Sequence, residues 1–333
     1  MAHFISILIL LRFTAAVMVM LELLMKYVEV PVPTPKKDEV LIKVEAASIS
    51  PIDWLIQQGR VKPMFPRELP QIPGTDVAGE VVDVGSGVKN VKAGDKVIAM
   101  LGFANGGGLA EFAVAKANLT VIRPLEVSAA EGAGIPSAGL MAHQALTDSA
   151  GLKLDGTGKP TNILITNASE GVGNYAIQLA KLGNAHVTAT CAPEHIDLAK
   201  SIGADEVVDQ ITPDGQALKS PSGKKYDIVI HCGEPTSWST FEPHLASNGK
   251  IFDAKPTPSS ARAYLLKKLT FSKKQLIPVL LSCKGENMDF LVKLVKEGKV
   301  KTVIGSKYSL SNPEDAWAKN AENKIFGKII LEP

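Results

Sequence analysis

The sequence predicts an α/β protein in which a mainly β region is followed by a doubly wound parallel sheet. Three observations support this prediction. Alternating strands separated by turns fill residues 28–135, strands alternate with helices through residues 138–285, and a glycine-bearing turn joins a buried strand to a helix within 162–179. Such alternation is typical of a parallel sheet covered by helices on both faces. The chain has 333 residues, which is long enough for two domains.

The first 27 residues form an apolar segment unlike the rest of the chain. Between residues 4 and 25 the only charged residues are Arg12 and Glu22. The segment is long enough to span a bilayer, although an arginine near its middle costs about 2.5–3.5 kcal/mol on insertion scales. No basic stretch precedes residue 4, which argues against a secretory signal. A membrane anchor, a buried strand or helix, and an aberrant gene-model start remain open.

Residues 28–137 are predicted to be mainly β. Polar and apolar residues alternate over 40–44 and again over 77–84, as they do in strands with one buried face. Clusters of proline, glycine and asparagine separate these strands and predict turns. The turn clusters are 31–35, 70–74, 85–87 and 105–108.

Residues 138–285 are predicted to contain the parallel sheet. The predicted strands are 162–166, 185–190, 205–208, 227–232 and 249–253, and the predicted helices are 138–150, 171–182, 194–202 and 238–246. An amphipathic helix follows at 287–298, with Phe290, Leu291, Leu294 and Val295 on one face. A final strand is predicted at 327–331.

Composition excludes several classes of function. A formal charge of +2 gives no argument for a nucleic-acid partner. The three cysteines, Cys191, Cys232 and Cys283, include no C-x-x-C pair, so neither a zinc knuckle nor a disulfide framework is supported. The lack of a disulfide framework indicates a reducing compartment.

The strongest functional signal is the turn after the first strand of the parallel sheet. The apolar run at 163–165 leads into Ala168-x-Glu170-Gly171-Val172-Gly173, and a helical pattern follows. A dinucleotide-binding turn requires this order, because the cofactor pyrophosphate lies on a helix N-terminus. The predicted cofactor-binding residues are Ser169, Gly171, Val172 and Gly173 in the turn, Thr190, Cys191 and Cys232 at later strand ends, and Glu194.

Glu170 is the exception within this motif. It occupies the position of the middle glycine, which lets backbone approach the pyrophosphate. At about 5 Å and an effective dielectric near 20, one repulsion between Glu170 and a phosphate is roughly 3 kcal/mol. Rotation of the side chain into solvent would remove most of this repulsion.

Several segments together resemble the zinc-less quinone oxidoreductase branch of the medium-chain dehydrogenase/reductase superfamily, and within it the plant homologues of the chloroplast envelope. The matching segments are 50–54, 73–99, 106–115, 138–146, 170–181 and 327–333. The resemblance implies a GroES-like, partly open β-barrel catalytic domain over 28–137 and 286–333, with a Rossmann NAD(P)-binding domain at 138–285. Members of the branch transfer hydride from NADPH to quinones or α,β-unsaturated carbonyls.

The resemblance also predicts that no zinc is bound. Zinc-dependent relatives carry a cysteine ligand where this chain has residues 48–53, and Gly-His-Glu where it has Gly74-Thr75-Asp76. A catalytic zinc site needs about three protein ligands, and neither the cysteine nor the histidine is present.

The resemblance assigns further candidate residues. Ser50 and Asp53 lie in the segment that faces the nicotinamide in relatives, and we predict catalytic roles for them, with a helix cap or turn as the alternative for Asp53. Lys328 belongs to the terminal strand, which borders the cofactor in relatives, and a surface lysine is the alternative. Cys232 has a plain alternative as a small buried hydrophobe.

Some residues depart from the pattern of NADPH-dependent relatives. Glu194 stands where they carry a basic residue for the 2′-phosphate, so it would favour an NADH ribose, or it simply lies in the first turn of a helix behind Pro193. Met141 replaces a threonine, and Gln210 replaces a tyrosine. Together these changes indicate weakened NADPH affinity, a switched cofactor preference, or lost catalysis.

The leading hypothesis is a zinc-independent oxidoreductase that uses NADPH or NADH and reduces a small quinone or enone, including lipid-derived ones. The rival is a catalytically degenerate nucleotide-binding or membrane-associated scaffold on the same fold. The resemblance implies a peripheral location on the chloroplast inner envelope, with the cytoplasm as the alternative. Relatives include dimers and monomers, so a homodimer is one alternative and the oligomeric state stays open. Residues 262–277 are basic and apolar, and they form either a peripheral membrane contact or an ordinary solvated face.

Overall fold

The structure is a computed structural model that describes residues 14–21, 24–59, 71–103, 106–321 and 327–333. Its contacts divide the chain into two compact units. Unit 1 comprises Met1–Ser137, Cys283–Gly298 and Thr302–Pro333, and unit 2 comprises Ala138–Ser282 and Lys299–Lys301.

The apolar N-terminal segment contains strand structure. Strands β1 (Thr14–Leu21) and β2 (Leu24–Pro31) pair antiparallel, with Leu21 opposite Leu24. Residues 1–13 and 22–23 lie outside the described residues. Among the described residues, no helix has both the length and the apolar character that a membrane crossing would need.

Unit 1 is built around a seven-stranded sheet. Its strands are β3 (Glu39–Ile49), β4 (Asp76–Val84), β5 (Lys96–Met100), β6 (Phe112–Lys116), β7 (Thr120–Ile122), β14 (Ile304–Ser309) and β15 (Lys328–Glu332). They follow the order β14-β15-β3-β4-β5-β7, and β6 pairs with β3. Alternate residues of β3, such as Val40, Ile42 and Val44, are buried in one core with residues of β15. Core packing therefore ties the C-terminal strand to the first half of the chain.

Short helices complete unit 1. They are α1 (Pro51–Gln57), α2 (Ala129–Ala133), α9 (Gly285–Lys296) and α10 (Glu314–Ala321). Helix α9 corresponds to the amphipathic helix predicted at 287–298, but its predicted apolar face is partly wrong. Met288, Leu291, Val292 and Leu294 are buried, whereas Phe290 is 37 % exposed. The buried residues Met288, Leu291 and Val292 follow the i, i+3, i+4 spacing of one helix face, and that face leaves Phe290 towards solvent.

Unit 2 is a six-stranded parallel sheet covered by helices. Its strands are β8 (Asn162–Thr166), β9 (His186–Cys191), β10 (Glu206–Asp209), β11 (Tyr226–His231), β12 (Leu245–Asp253) and β13 (Gln275–Pro278). The helices are α3 (Pro136–Gln144), most of which belongs to this unit, α4 (Gly171–Leu182), α5 (Ile196–Ser201), α6 (Pro213–Gln216), α7 (Trp238–Phe241) and α8 (Pro258–Leu269). The order β10-β9-β8-β11-β12-β13 reverses between β8 and β11. This is the Rossmann order, and dinucleotides bind at such a reversal.

Three predicted helices of unit 2 differ from the structure. The helix predicted at 138–150 ends at Gln144 and continues as a π-helical turn, in which the Ala150 N–H donates to the carbonyl of Ala145. The helix predicted at 194–202 begins with a 3₁₀ turn. The helix predicted at 238–246 is wrong beyond Phe241, because Pro243 has no N–H to continue it, and β12 begins at Leu245.

A half-buried carboxylate in unit 2, that of Glu206, gives a pH-dependent prediction. Glu206 accepts hydrogen bonds from Thr188 Oγ1 at 3.0 Å and Ser220 Oγ at 2.7 Å. Partial burial alone would raise its pKa, but hydrogen bonds from Ser222, Ser220, Thr188 and His186 prevail and lower the pKa to about 2 from 4.5. A lowered folded-state pKa stabilises the fold above pH 4.5, and this contribution is lost as the pH falls towards 2.

We therefore expect Glu206→Gln to lower the free energy of unfolding by about 1–2 kcal/mol at pH 7, because the charged acceptor is lost. The difference from the wild type should shrink below pH 4.5 and vanish near pH 2. Urea denaturation across this range measures it. Asp214→Asn is the matched control, since that carboxylate is 70 % exposed. A pH-independent difference would contradict the assignment.

Candidate functional site

The turn between β8 and α4 begins with Asn167, whose backbone has a left-handed conformation. Asn167 lies in the left-handed region with φ of 50°, where asparagine is tolerated better than most residues. Its backbone N–H donates to Thr190 Oγ1 at 3.3 Å, and the N–H of Ala168 donates to the carbonyl of Thr190 at 2.8 Å. Thr190, predicted to bind the cofactor, is 3 % exposed and fastens the turn to β9.

Helix α4 packs so closely on this turn that only glycine fits at position 173. A Cβ on Gly173 would lie 2.6 Å from Ala168 Cα and 2.9 Å from the carbonyl oxygen of Asn167. The first N–H groups of α4 have no partners within the helix, and the helix dipole adds positive potential there. This glycine cradle and the strand reversal beside it fit the pyrophosphate of a dinucleotide.

The side chain of Glu170 is buried at this turn. Glu170 is the N-cap residue of α4 and is 5 % exposed. Its Oε1 accepts a hydrogen bond from Asn167 Nδ2, and its Oε2 accepts one from Lys255 Nζ at 2.9 Å. The carboxylate charge of Glu170 is therefore balanced by the ammonium of Lys255. The side chain of Glu170 is not rotated into solvent.

The other predicted cofactor-binding residues of unit 2 differ in exposure. Ser169 is buried, and its carbonyl accepts from Asn174 Nδ2 at 2.7 Å, while Gly171 and Val172 are half-buried at the start of α4. Glu194 lies exposed in the 3₁₀ turn Pro193–His195 that precedes α5. Glu194 thus lies in the first turn behind Pro193, which is the alternative position that the sequence allowed.

The surroundings of all three cysteines raise the pKa of their thiols. Burial raises the pKa of Cys191 to about 11 and that of Cys232 to about 12. Burial, with the nearby charge of Asp76, raises the pKa of Cys283 to about 11. Cys191 and Cys232 are fully enclosed and make contacts typical of small buried hydrophobes.

We expect all three native thiols to react with Ellman's reagent at pH 8 at least about a hundredfold more slowly than in urea, because the raised pKa values leave few thiolates. The urea-denatured protein is the control and should show three fast thiols. One native thiol that reacts at the denatured rate would contradict the assignment.

His231 completes the carboxyl edge of the unit 2 sheet. Its Nδ1 lies 2.8 Å from Thr166 Oγ1, and its Nε2 lies 3.0 Å from the carbonyl oxygen of Glu234. The Cys232 N–H donates to the same Thr166 hydroxyl, so that hydroxyl donates to Nδ1 and Nε2 carries the proton. Burial lowers the pKa of His231, which keeps the ring neutral. His231 thus has a structural role at the edge.

In unit 1, Asp53 is tied to the backbone. Its Oδ2 accepts from the Ser50 N–H at 2.9 Å at the start of α1, and its Oδ1 accepts from the Gly74 N–H at 3.2 Å. The side chain is 1 % exposed. The contact with Ser50 corresponds to the helix-cap alternative for Asp53, and it fixes the backbone of Ser50.

A second buried ion pair lies next to Ser50. Asp76 is fully buried, and its Oδ2 is 3.6 Å from Lys328 Nζ, which also donates to Ser50 Oγ at 2.8 Å. The N–H and hydroxyl of Ser137 and the hydroxyl of Ser48 donate to the same carboxylate. Because Lys328 is 3 % exposed, its interpretation as a surface lysine is wrong. We call Ser48, Ser50, Asp76, Ser137 and Lys328 the buried polar cluster.

Ser48, Ser50 and Asp76 of the buried polar cluster lie in the two segments, 48–53 and 74–76, that the family resemblance aligns with zinc ligands. Ser48 and Thr75 offer hydroxyls, and the carboxylate of Asp76 is taken up by Lys328 and Ser137. Over the ranges that the structure describes, no three His, Cys, Asp or Glu side chains come together in a way that could hold a metal ion. This donor set does not fit the cysteine and histidine chemistry of a catalytic zinc.

Two residues that contact Glu170 at the turn of unit 2 were not predicted from the sequence. Asn167 directly follows the strand 162–166, and Lys255 follows the strand that ends at Asp253. Both positions lie at the carboxyl edge of the sheet, where parallel strands bring their ends together. That placement was the signal that could have found them.

Comparisons with known proteins agree with these features. The family model for the alcohol dehydrogenase GroES-like domain matches residues 36–125, and that for zinc-binding dehydrogenase matches residues 202–331. The chain is 63 % identical to the chloroplast envelope quinone oxidoreductase homolog of Arabidopsis thaliana, over 93 % of this chain and 94 % of that protein. It is 31 % identical to the NADPH-dependent alkenal/one oxidoreductase of the same plant, over 91 % and 74 %.

Among solved structures, the quinone oxidoreductase from Coxiella burnetii superposes with a TM-score of 0.83 at 28 % identity. The alignment covers 96 % of this chain and 99 % of that chain. These matches confirm the predicted family resemblance and the predicted combination of GroES-like and Rossmann folds.

Proposed function

The chain belongs to the medium-chain dehydrogenase/reductase superfamily as an NAD(P)H-dependent oxidoreductase, and we propose that it reduces a quinone or an α,β-unsaturated carbonyl without zinc. The observation that carries the proposal is the turn at the start of α4. Gly173 keeps the close packing that a dinucleotide needs, and Lys255 balances the charge of Glu170. The named activities of the plant relatives support the two substrate classes.

Unit 2 would hold the cofactor through its turn. The N–H groups of Gly171 and Val172 at the N-terminus of α4 would bind the pyrophosphate, with Ser169 beside them. Glu194 would accept hydrogen bonds from a ribose. Bound NADPH or NADH supplies the hydride, and the protein supplies position and polarity.

Unit 1 would supply polar groups for the substrate. The hydroxyl of Ser50 receives a hydrogen bond from the Lys328 ammonium, which makes it a better donor. Its proton faces Ser137 Oγ at 3.4 Å and would turn to a substrate oxygen that gains negative charge. Asp53 holds the Ser50 backbone in place and is thus a positioning residue. No nucleophile or metal is needed for this chemistry.

The rival hypothesis is a degenerate scaffold, and it was motivated by Glu170, Met141 and the atypical N-terminal segment. The ion pair with Lys255 weakens the argument from Glu170, and the scaffold hypothesis then depends on Met141 and the N-terminal segment. A lost hydroxyl at position 141 is a smaller obstacle to cofactor binding than a carboxylate facing phosphates.

The chloroplast names of the relatives support a proposed location at the chloroplast envelope.

A peripheral contact with a membrane would use α8 and the residues after it. Leu265, Leu266 and Leu269 are more than half exposed there, next to Lys267 and Lys268. Apolar side chains beside lysines suit an anionic lipid surface. A homodimer stays a prediction.

The test is a fluorescence titration of the full chain with NADPH and NADH in parallel, followed by assays with a benzoquinone and an enone. We expect saturable micromolar binding and reduction of at least one acceptor. Glu194 predicts the higher kcat/KM with NADH, and Glu194→Lys should shift the preference to NADPH. A folded protein that binds neither nucleotide would overturn the proposal.

A further inference from the structure

The ion pair between Glu170 and Lys255 bridges three strand ends of the unit 2 sheet. Glu170 follows β8, Lys255 follows β12, and β11 lies between these strands. The pair therefore links the two sides of β11, next to the boundary between β8 and β11 where the strand order reverses. In open α/β sheets, dinucleotides bind in the crevice outside the carboxyl ends at that reversal.

The pair is too buried to be an incidental surface contact. The side chain of Glu170 is 7 % exposed and that of Lys255 is 26 % exposed. Buried ion pairs add little net stability compared with apolar residues of similar volume, and a short polar residue would cap α4 as well. Stability alone therefore does not account for this pair at this turn.

The ammonium of Lys255 keeps donors for a ligand. A lysine ammonium has three N–H donors, and Glu170 accepts one of them. The Lys255 backbone is also fixed, because its N–H donates to Asp253 Oδ1 at 3.0 Å. A partly exposed cation, held at both its backbone and its tip, is suited to bind an anion beside the N-terminus of α4.

We propose that Lys255 is a cofactor-binding residue, positioned by Glu170, whose ammonium donates to a phosphate of the dinucleotide. This inference depends on the proposed function, because it assigns a residue to the same cofactor. Glu170 is then an anchor for a phosphate-binding lysine and not an obstacle to the cofactor. Relatives with glycine at this turn have no carboxylate there. In this chain the carboxylate of Glu170 is paired with Lys255, which follows β12.

A plainer possibility is that Lys255 only cancels the charge of Glu170 and never contacts the cofactor. The two possibilities differ in the double variant Glu170→Gln with Lys255→Met, which removes both charges and keeps both shapes. If Lys255 donates to a phosphate, the double variant loses that contact and binds NADPH about tenfold more weakly than the wild type. If Lys255 only cancels charge, the double variant binds as the wild type does.

The experiment is an NADPH titration of the wild type, both single variants and the double variant, by fluorescence and by the NADPH-dependent shift of Tm. We expect Lys255→Met to weaken binding about a hundredfold, because Glu170 is then unpaired beside the phosphates. Lys250→Met is the matched control, since that exposed lysine lies on β12, the strand that precedes Lys255, and the variant should bind NADPH as the wild type does.

The outcomes separate this inference from the proposed function. If the wild type binds NADPH and the double variant binds it more weakly, the role of Lys255 is supported, even if Lys255→Met alone fails to fold. Wild-type binding with an equally tight double variant overturns the role of Lys255 and leaves the proposed function standing. A wild type that binds neither NADPH nor NADH overturns both.

Discussion

Replacement of Lys328 by methionine is expected to lower the free energy of unfolding by about 3–5 kcal/mol, because it leaves a fully buried carboxylate without its cation. Asp76 is 0 % exposed, and the Lys328 side chain is 4 % exposed. The remaining donors of the buried polar cluster, from Ser48 and Ser137, are neutral and were already in use. Urea denaturation of the variant and the wild type measures the loss.

Two further variants separate this effect from lost packing. Asp76→Asn in the same background should restore part of the stability, because the unpaired charge is gone. Lys307→Met is the matched control on the neighbouring strand β14, where the lysine is 50 % exposed and pairs with Glu332 at 3.0 Å. An exposed pair is worth about 0–1 kcal/mol. A Lys328 variant no less stable than the Lys307 variant would contradict the prediction.

The elements that the sequence predicted best are those marked by an apolar run or by glycines at their ends. The strand 162–166 and the helix 171–182 agree with β8 and α4 at both ends. An apolar run defines the strand, and glycines mark both ends of the helix, with Gly183 as its C-cap. Where the end of an element depended on a proline or a π turn, as at Pro243 and Ala145, the predicted boundaries moved.

Side-chain partners were harder to predict than elements. The sequence placed Glu170 in the cofactor turn but could not identify Lys255, which is 85 residues away in the chain. The contact depends on β11 lying between β8 and β12 and on the length of the loop after Asp253. Neither can be obtained from the local pattern around Glu170, so the sequence supported only a conflict between the carboxylate and the phosphates.

The same difficulty affected the candidates in unit 1. The sequence could not decide between a catalytic and a capping position for Asp53, since both fit a Ser-Pro-x-Asp start of a helix. The contacts of its carboxylate with the Ser50 and Gly74 N–H groups come from the fold. Lys328 likewise lay in a strand pattern that gave no sign of its burial beside Asp76, 252 residues earlier.

The second large effect is expected at Gly173. Substitution by alanine would place a Cβ 2.6 Å from Ala168 Cα and 2.9 Å from the carbonyl oxygen of Asn167. Both are backbone atoms, so α4 or the turn must move. Overpacking of this kind lowers the free energy of unfolding by about 1–3 kcal/mol. The same movement displaces the N-terminus of α4 from the turn, so we expect NADPH affinity to fall at least about tenfold.

Gly158→Ala is the matched control, because a Cβ there would have no neighbour closer than 3.9 Å. Denaturation and NADPH titration of both variants test the prediction. The loss of NADPH affinity is compared with the loss of unfolding free energy. Strain that affects only the fold would lower the unfolding free energy without changing the NADPH affinity of the folded protein. Loss of affinity beyond the loss of stability would mean that the close packing of α4 on the turn is what makes its N-terminus fit a pyrophosphate. A Gly173 variant with unchanged affinity would show that the cofactor does not depend on this packing.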